Sequence, residues 1–275
     1  LTGGHSGDDI NKKRANANKL LVRFLWEQSE KTDLRLCDIQ AGGLHNAIPR
    51  EAHATVAVPT TYVATFGEEL QAFVEKVRDE FSATEPELTA VIEPVAAAPT
   101  CICKEQAERL LKSLSVVHNG IFAMSQDLEG LVETSSNLAS VRKHGNQIVA
   151  TTSQRSSVAS NLEYMASVVR SAFELGGAKC VTNEGYPGWK MNPKSEILKV
   201  CVDSYKRLFG KEPLVRAIHA GLECGLFSEK YPHLDMVSFG PTLRGVHSPD
   251  ERLLIPTVQM VWDHLLDVLK NVPEK

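Results

Sequence analysis

A glycine- and proline-rich run late in the chain is the feature that most constrains its fold. The run VTNEGYPGWKMNPKSE covers residues 181–196 and gathers Gly185, Pro187, Gly188 and Pro193. Both residue types interrupt helices and strands, whereas the sequence on either side has regular apolar periodicities. We therefore place a domain boundary here, and predict one domain over residues 1–184 and a second piece over residues 185–275.

Helical and strand periodicities alternate along residues 1–184. Apolar residues recur at helical spacing around 17–25, 66–81, 107–114 and 158–173. Strand-like segments are predicted at 33–43, 52–59, 89–95, 118–126, 131–142 and 147–154. This order predicts an α/β protein whose first domain is of the α+β kind, with helices covering a largely antiparallel sheet.

The second piece contains fewer elements. Helices are predicted to begin near residues 197, 223 and 258, with two short strands at 213–219 and 234–240. Two short strands in about 90 residues form a poor independent sheet. We expect this piece to be part of a larger domain.

Composition excludes several functional classes. The net charge of −4 argues against nucleic-acid binding through bulk charge. No apolar run reaches the roughly 18 to 20 residues of a membrane span, and the N-terminus lacks the apolar core of a signal peptide. The six cysteines are scattered, with no CxxC pair, and are predicted to be reduced cytoplasmic thiols.

Common catalytic signatures are absent from the sequence. It has no HExxH, GxxxxGK[ST] or GxGxxG motif, and Ser6 has Asp8 where a serine-nucleophile turn needs glycine. The HLD triplet at His233–Asp235 resembles a metal-binding spacing, but no second carboxylate pair follows it. The start of a strand explains HLD better.

Polar residues in loops remain as candidates. His5 lies between glycines just before a helix, where it could face an anion or an oxyanion, or could be incidental to a turn. Asn46 could bind substrate or satisfy a turn, and Arg155 could fork onto a carboxylate or be solvated. His219 lies in the loop IHAGLECG, and His247 could be one zinc ligand.

Together these loops resemble the aminoacyl-histidine dipeptidases, members of the clan of two-zinc exopeptidases. The segments GGHSGDDI, GGLHNAIPREA, QRSS, HAGLECG and FGPTLRGVHSPDE follow the family's order across the whole chain. The resemblance implies that residues 1–184 are a lid and dimerisation domain. It also implies that 185–275 are the C-terminal segment of the α/β catalytic domain, whose N-terminal segment this sequence lacks.

The same resemblance assigns roles to individual residues. It implies that His5 reaches the partner subunit's active site and stabilises an oxyanion, while Asn46 and Arg155 hold the substrate's backbone and carboxylate. His219 and Gly221 would line the same pocket. His247 is the one residue that matches a metal-ligand position.

The implied function is zinc-dependent hydrolysis of Xaa-His and related dipeptides by a cytoplasmic homodimer, with two zinc ions in the intact enzyme. This chain alone would then be inactive, since one imidazole cannot supply the three or four ligands of a zinc site. Two alternatives stay open. They are an N-acyl amino acid amidohydrolase of the same clan, and a non-enzymatic, lid-like dimerisation or binding module.

Overall fold

The structure is a computed structural model, and it describes residues 1–126, 128–183, 185, 187–189, 192, 194–216, 223–244 and 251–273. The chain divides into two compact units, Leu1–Asn183 and Glu184–Lys275.

The first unit contains seven described strands and four described α-helices. The strands are β1 (Gly4–His5), β2 (Arg35–Gly42), β3 (Ala47–Ile48), β4 (Ala52–Ala57), β5 (Gly120–Met124), β6 (Val132–His144) and β7 (Gln147–Ser156). The helices are α1 (Ala17–Lys31), α2 (Val63–Glu80), α3 (Lys104–Val116) and α4 (Ala159–Leu175). Short 3₁₀ turns cover Ile10–Lys12 and Thr60–Tyr62.

Strand β6 is the centre of an antiparallel five-stranded sheet. Strand β2 pairs with the Ser140–Arg142 end of β6, and β5 pairs with its Val132–Ser136 end. Strand β7 pairs with β6 from Thr134 to His144, so it occupies the other edge, and β4 pairs with β2. A separate two-stranded ribbon joins β1 to β3 and sets His5 opposite Ala47.

Helices α1, α3 and α4 pack together and against this sheet. Asn16 caps the N-terminus of helix α1, because its side chain accepts hydrogen bonds from the backbone N–H groups of Asn18 and Lys19. Its apolar stripe buries Val22, Phe24 and Leu25 in the main hydrophobic core. Burying this stripe against the sheet is what stabilises an amphipathic helix of this length.

The predicted α+β fold of an antiparallel sheet covered by helices is confirmed, but some details are wrong. Residues 89–95, predicted as a strand, form no strand, and Val91 and Val95 are exposed. Pro94 removes a ladder donor there. Strand β3 was not predicted, because its two residues are too few for a periodicity.

The prediction of free thiols is also wrong for one pair of cysteines. Cys37 on β2 and Cys101 form a disulfide, whereas Cys103, Cys180, Cys201 and Cys224 are free. The backbone N–H of Ile102 donates to the carbonyl oxygen of Leu36 at 2.7 Å, which lays the segment before α3 alongside β2. This long-range pairing brings the two sulfur atoms together.

The second unit is mainly helical in its described part. It contains α5 (Glu196–Phe209), α6 (Glu223–Lys230), α7 (Pro256–Asn271) and a small ribbon of β8 (Leu243–Arg244) and β9 (Arg252–Leu253). Helix α5 is capped at its N-terminus by Ser195, whose hydroxyl accepts from the N–H of Leu198, and at its C-terminus by Gly210, with φ of 64°. Helices α5 and α7 pack together, and the Nε2–H of His264 donates to the carbonyl oxygen of Cys201 at 2.9 Å.

The two strands predicted in this unit are not observed. Residues 213–216 and 234–240 form no strand, and 217–219 lie outside the described residues. The HLD triplet does not start a strand, because the Asp235 carboxylate accepts from the backbone N–H of Ile197, at the N-terminus of α5.

Within the described residues, none of the helices is both long enough and apolar enough to cross a bilayer.

Candidate functional site

The loop from Thr2 to Ala15 carries His5 and is held in an unusual backbone conformation. Gly3 and Gly4 have φ of 66° and 151°. A Cβ atom on Gly4 would lie 2.6 Å from a carboxylate oxygen of Asp9 and would also meet the guanidinium of Arg14. Only glycine fits this position, since both the backbone conformation and the available space exclude a side chain.

The His5 ring is oriented by its own loop. The backbone N–H groups of Gly7 and Asp8 lie 3.3 and 3.2 Å from Nδ1 of His5 and donate to it. A ring nitrogen that accepts these bonds carries no proton, so in the neutral imidazole the proton is on Nε2. His5 therefore presents Nε2–H as a hydrogen-bond donor, which is the chemistry needed to stabilise a developing oxyanion.

Asp9 fixes the backbone beside this ring. Its carboxylate accepts from the N–H of His5 at 2.8 Å, and the N–H of Asp9 donates back to the carbonyl oxygen of His5 at 2.9 Å. Burial raises the pKa of Asp9, but the hydrogen bonds from Lys12 and His5 and the charge of Arg14 outweigh it. The net pKa lies below its ordinary value of 3.8, so the carboxylate is charged at neutral pH.

Asn46 lies next to the His5 loop through its backbone. The N–H of Ser6 donates to the carbonyl oxygen of Asn46 at 2.8 Å, continuing the pairing of β1 with β3. The amide of Asn137 on β6 donates to the carbonyl oxygen of Ala47 at 2.7 Å and ties the ribbon to the sheet. Asn46 is therefore placed beside His5 by main-chain contacts anchored on β6.

Arg155 on β7 approaches the same loop from the sheet. A Cβ atom on Gly7 would lie 3.1 Å from Cε1 of His5 and 3.6 Å from Cζ of Arg155, so the two side chains flank Gly7. Burial lowers the pKa of Arg155, and the nearby charge of Asp8 only partly offsets this. The guanidinium is thus a largely desolvated cation with an exposed carboxylate as its nearby counter-charge.

Two buried polar atoms at this loop have no hydrogen-bond partner among the described residues. They are Nε of Arg155 and Oγ of Ser6. A buried donor without a partner costs roughly 1–3 kcal/mol, and such atoms are few in native proteins. Their occurrence beside His5 indicates a site built to receive a polar group.

The structure therefore brings together three of the six predicted site residues, His5, Asn46 and Arg155. The other three, His219, Gly221 and His247, lie outside the described residues. Within the part of the chain that is described, no group of three or more His, Cys, Asp or Glu side chains could hold a metal ion. The described residues alone therefore do not form a zinc site.

A cavity of about 560 Å³ lies elsewhere in the first unit. It is bounded by residues 100–103, helix α3 and the end of α4, and none of the predicted site residues lines it. Its position gives it no part in the chemistry of the His5 loop.

Sequence reasoning missed Asp9, Arg14 and Glu85, which hold the His5 loop. Asp9 carried a weak signal, since the acidic pair Asp8–Asp9 directly follows Gly7 in GGHSGDD. Glu85 carried none, because its contacts are with residues 70 and 83 positions away.

The amino-terminal part of the chain matches a known family. Residues 2–88, which include β1–β4, α1, α2 and the His5 loop, match the family described as Peptidase dimerisation domain. These residues are similar to that family over 87 of the 275 positions of the chain. The site around His5 therefore lies largely within the matched residues, and Arg155 is supplied by a strand, β7, that follows them.

The chain as a whole is similar to dipeptidases. The cytosol non-specific dipeptidase of Escherichia coli (strain K12) is 40% identical over 275 residues, which is 100% of this chain and 57% of the relative. The crystal structure of aminoacylhistidine dipeptidase from Vibrio alginolyticus matches with a TM-score of 0.88 at 40% identity, covering 100% of this chain and 56% of that one. The chain spans little more than half the length of these relatives and fits a part of such an enzyme, so the predicted resemblance is confirmed.

Proposed function

We propose that this chain is part of a metal-dependent dipeptidase and supplies its substrate-orienting and oxyanion-stabilising groups. The observation that carries this proposal is the desolvated guanidinium of Arg155, with an unpartnered Nε, beside an imidazole that presents Nε2–H. A half-buried arginine with an unpartnered donor is suited to a carboxylate, and an Nε2–H donor is suited to an oxyanion. The two relatives, both dipeptidases by name, support the same reaction.

The roles proposed for the described residues combine their chemistry with the family resemblance. The guanidinium of Arg155 donates paired hydrogen bonds to the free C-terminal carboxylate of the dipeptide, and Asn46 binds the backbone of the dipeptide. His5 donates Nε2–H to the oxygen of the scissile carbonyl as negative charge develops, in the active site of a second copy. Because the Arg155 guanidinium binds a carboxylate close to the scissile bond, the enzyme is restricted to short substrates. A longer peptide has its C-terminal carboxylate farther from that bond.

Zinc, two ions in the intact enzyme, is the metal proposed from the family resemblance. When bound it would supply Lewis-acid activation of water and carbonyl. His247 is proposed as one ligand, and His219 and Gly221 as pocket residues, on the same basis. We further propose that the protein works in the cytoplasm as a homodimer, a proposal supported by the match to a dimerisation domain and by the name of the Escherichia coli relative.

The two units have different proposed roles. Residues 1–184 are proposed as the lid and dimerisation domain, and residues 185–275 as one segment of the catalytic domain. The second unit supports this by its surface, because only Cys201 and Val268 are buried apolar residues in its described part. Trp262, Leu266 and Leu269 of α7 remain exposed, as expected for a segment of a larger domain.

Substitution of Arg155 by lysine in the intact enzyme tests the proposal. The guanidinium of arginine can donate two parallel hydrogen bonds to a carboxylate, whereas the ammonium of lysine is a compact point charge. We therefore expect kcat/KM for dipeptides with a free carboxylate to fall about tenfold or more. The same dipeptides with an amidated C-terminus should change far less. Arg35→Lys is the control, since Arg35 is an exposed strand arginine paired with Asp33 at 3.1 Å.

Three results would contradict the proposal. An equal loss on free and amidated dipeptides would show that Arg155 has a structural role. Turnover of N-acyl amino acids in preference to dipeptides would favour the amidohydrolase alternative, and no hydrolysis of either class by the intact protein would favour a binding module.

A further inference from the structure

A buried carboxylate, Glu85, joins the two ends of the loop that carries His5. Glu85 follows the end of α2, and only 1% of its surface is exposed. One carboxylate oxygen accepts from the backbone N–H of Thr2 at 2.7 Å, and the other accepts from the N–H of Ala15 at 3.1 Å. Residues 2 and 15 bound the His5 loop, so a single side chain sets the distance between its ends.

The neighbouring residue of the same turn repeats this contact pattern. The hydroxyl of Thr2 donates to the carbonyl oxygen of Thr84, and the hydroxyl of Thr84 donates to the carbonyl oxygen of Lys13, both at 3.2 Å. The turn therefore makes two hydrogen bonds to each end of the loop. We define Thr84 and Glu85 with these four bonds as the loop clamp.

Charge makes Glu85 the stronger part of the loop clamp. Hydrogen bonds from N–H groups to an ionised carboxylate are roughly twice as strong as neutral ones. Ala15 directly precedes Asn16, the N-cap of α1, so the positive end of that helix also favours the negative charge. A buried carboxylate without such donors would be strongly destabilising.

The loop clamp matters because His5 and Arg155 meet across a narrow gap. Both side chains approach the Cβ position of Gly7, at 3.1 and 3.6 Å. A shift of the loop by a few tenths of an ångström would change where Nε2–H of His5 points. Catalytic contacts are sensitive to such shifts, and a displacement of about 1 Å can cost a hundredfold in rate.

We propose that Glu85 is a positioning residue that acts through His5 by holding the His5 loop at both ends. The proposal rests on the proposed dipeptidase function. Glu85 itself touches no substrate, and its effect is confined to the placement of the His5 imidazole.

The deciding experiment is a double-mutant cycle in the intact enzyme. Glu85→Gln keeps the size of the side chain but replaces one acceptor oxygen with an NH₂ group, which faces a backbone N–H. We expect kcat to fall between about tenfold and a hundredfold with little change in KM, since the oxyanion contact exists only in the transition state. In a His5→Ala background the same substitution should change kcat by less than about twofold.

A matched control and a milder variant separate positioning from folding. Glu87→Gln makes the same chemical change two residues away on an exposed side chain, and should leave kcat unchanged. Thr84→Ala removes one clamp bond, and should lower kcat in the same direction by a smaller factor. A kcat loss from Glu85→Gln that is equal with and without His5 would overturn the proposal.

Hydrogen exchange gives a readout that does not depend on activity. In the 275-residue chain, the amides from Thr2 to Ala15 should exchange faster in Glu85→Gln than in Glu87→Gln, while those of β6 stay unchanged. If the wild-type enzyme hydrolyses no dipeptide, the proposed function fails and exchange alone decides whether the clamp exists. Equal exchange in both variants would refute the clamp whatever the activity.

Discussion

Gly4 is the residue at which the His5 loop tolerates no side chain. Its φ of 151° and the 2.6 Å approach of the Asp9 carboxylate to a hypothetical Cβ mean that Gly4→Ala must displace the loop. We expect a loss of about 1–3 kcal/mol of stability in urea unfolding, and faster amide exchange around His5.

The control for this substitution is Gly67→Ala within α2. Nothing lies within 4 Å of a Cβ built on Gly67, and alanine is the better helix former. This variant should gain about 0.5–1 kcal/mol. A Gly4→Ala protein as stable as the wild type would show that the loop is free to move.

The site residues that could be predicted from the sequence are those with a distinctive local sequence context. His5 stood between glycines and Arg155 among small polar residues at a strand end, so residue type and context singled them out. Glu85 and Asp9 are ordinary acidic residues in the sequence, and their roles depend on which N–H groups the fold brings to them. The orientation of the His5 ring likewise depends on two N–H groups that only the folded loop aims at Nδ1.

At the scale of elements, the His5 loop is predicted to be sensitive to acid. The pKa of Asp9 lies below 3.8 in the folded chain, so its stabilising contribution is complete above pH 3.8 and is lost as the pH falls through the lower folded value. The stability advantage of the wild type over Asp9→Asn should therefore be constant near neutral pH and shrink below pH 3.8. Urea unfolding of both proteins across this range measures it, and an advantage that grows in acid would refute the assigned role.

Helices were easier to predict than strands, for a physical reason. The apolar stripe of α1 or α4 is written within one segment, because it depends only on spacing along the chain. A strand also requires a partner strand. Residues 89–95 have a strand-like apolar pattern, but no described strand pairs with them. Residues 234–240 likewise form no strand, and none of the described residues pairs with them.

For the molecule as a whole, the two units should differ in independent stability. The main hydrophobic core lies entirely within the first unit, whereas the described part of the second unit buries little and exposes Trp262 on α7. Residues 1–183 produced alone should unfold cooperatively in urea, with native near-UV circular dichroism. Residues 184–275 produced alone should show no cooperative transition and should bind a hydrophobic dye. A cooperative transition in the second fragment would contradict its proposed role as a segment of a larger domain.

The amino-acid sequence by itself determined the helices, the strands around β6 and the residue types capable of the chemistry. Each of these depends on neighbours along the chain, where periodicity, turn formers and side-chain type act locally. Only the tertiary structure decided that His5 and Arg155 flank Gly7, that Cys37 pairs with Cys101, and that Glu85 closes the loop. These contacts join residues 64 to about 150 positions apart, and they arise from strand register and core packing, which no local pattern specifies.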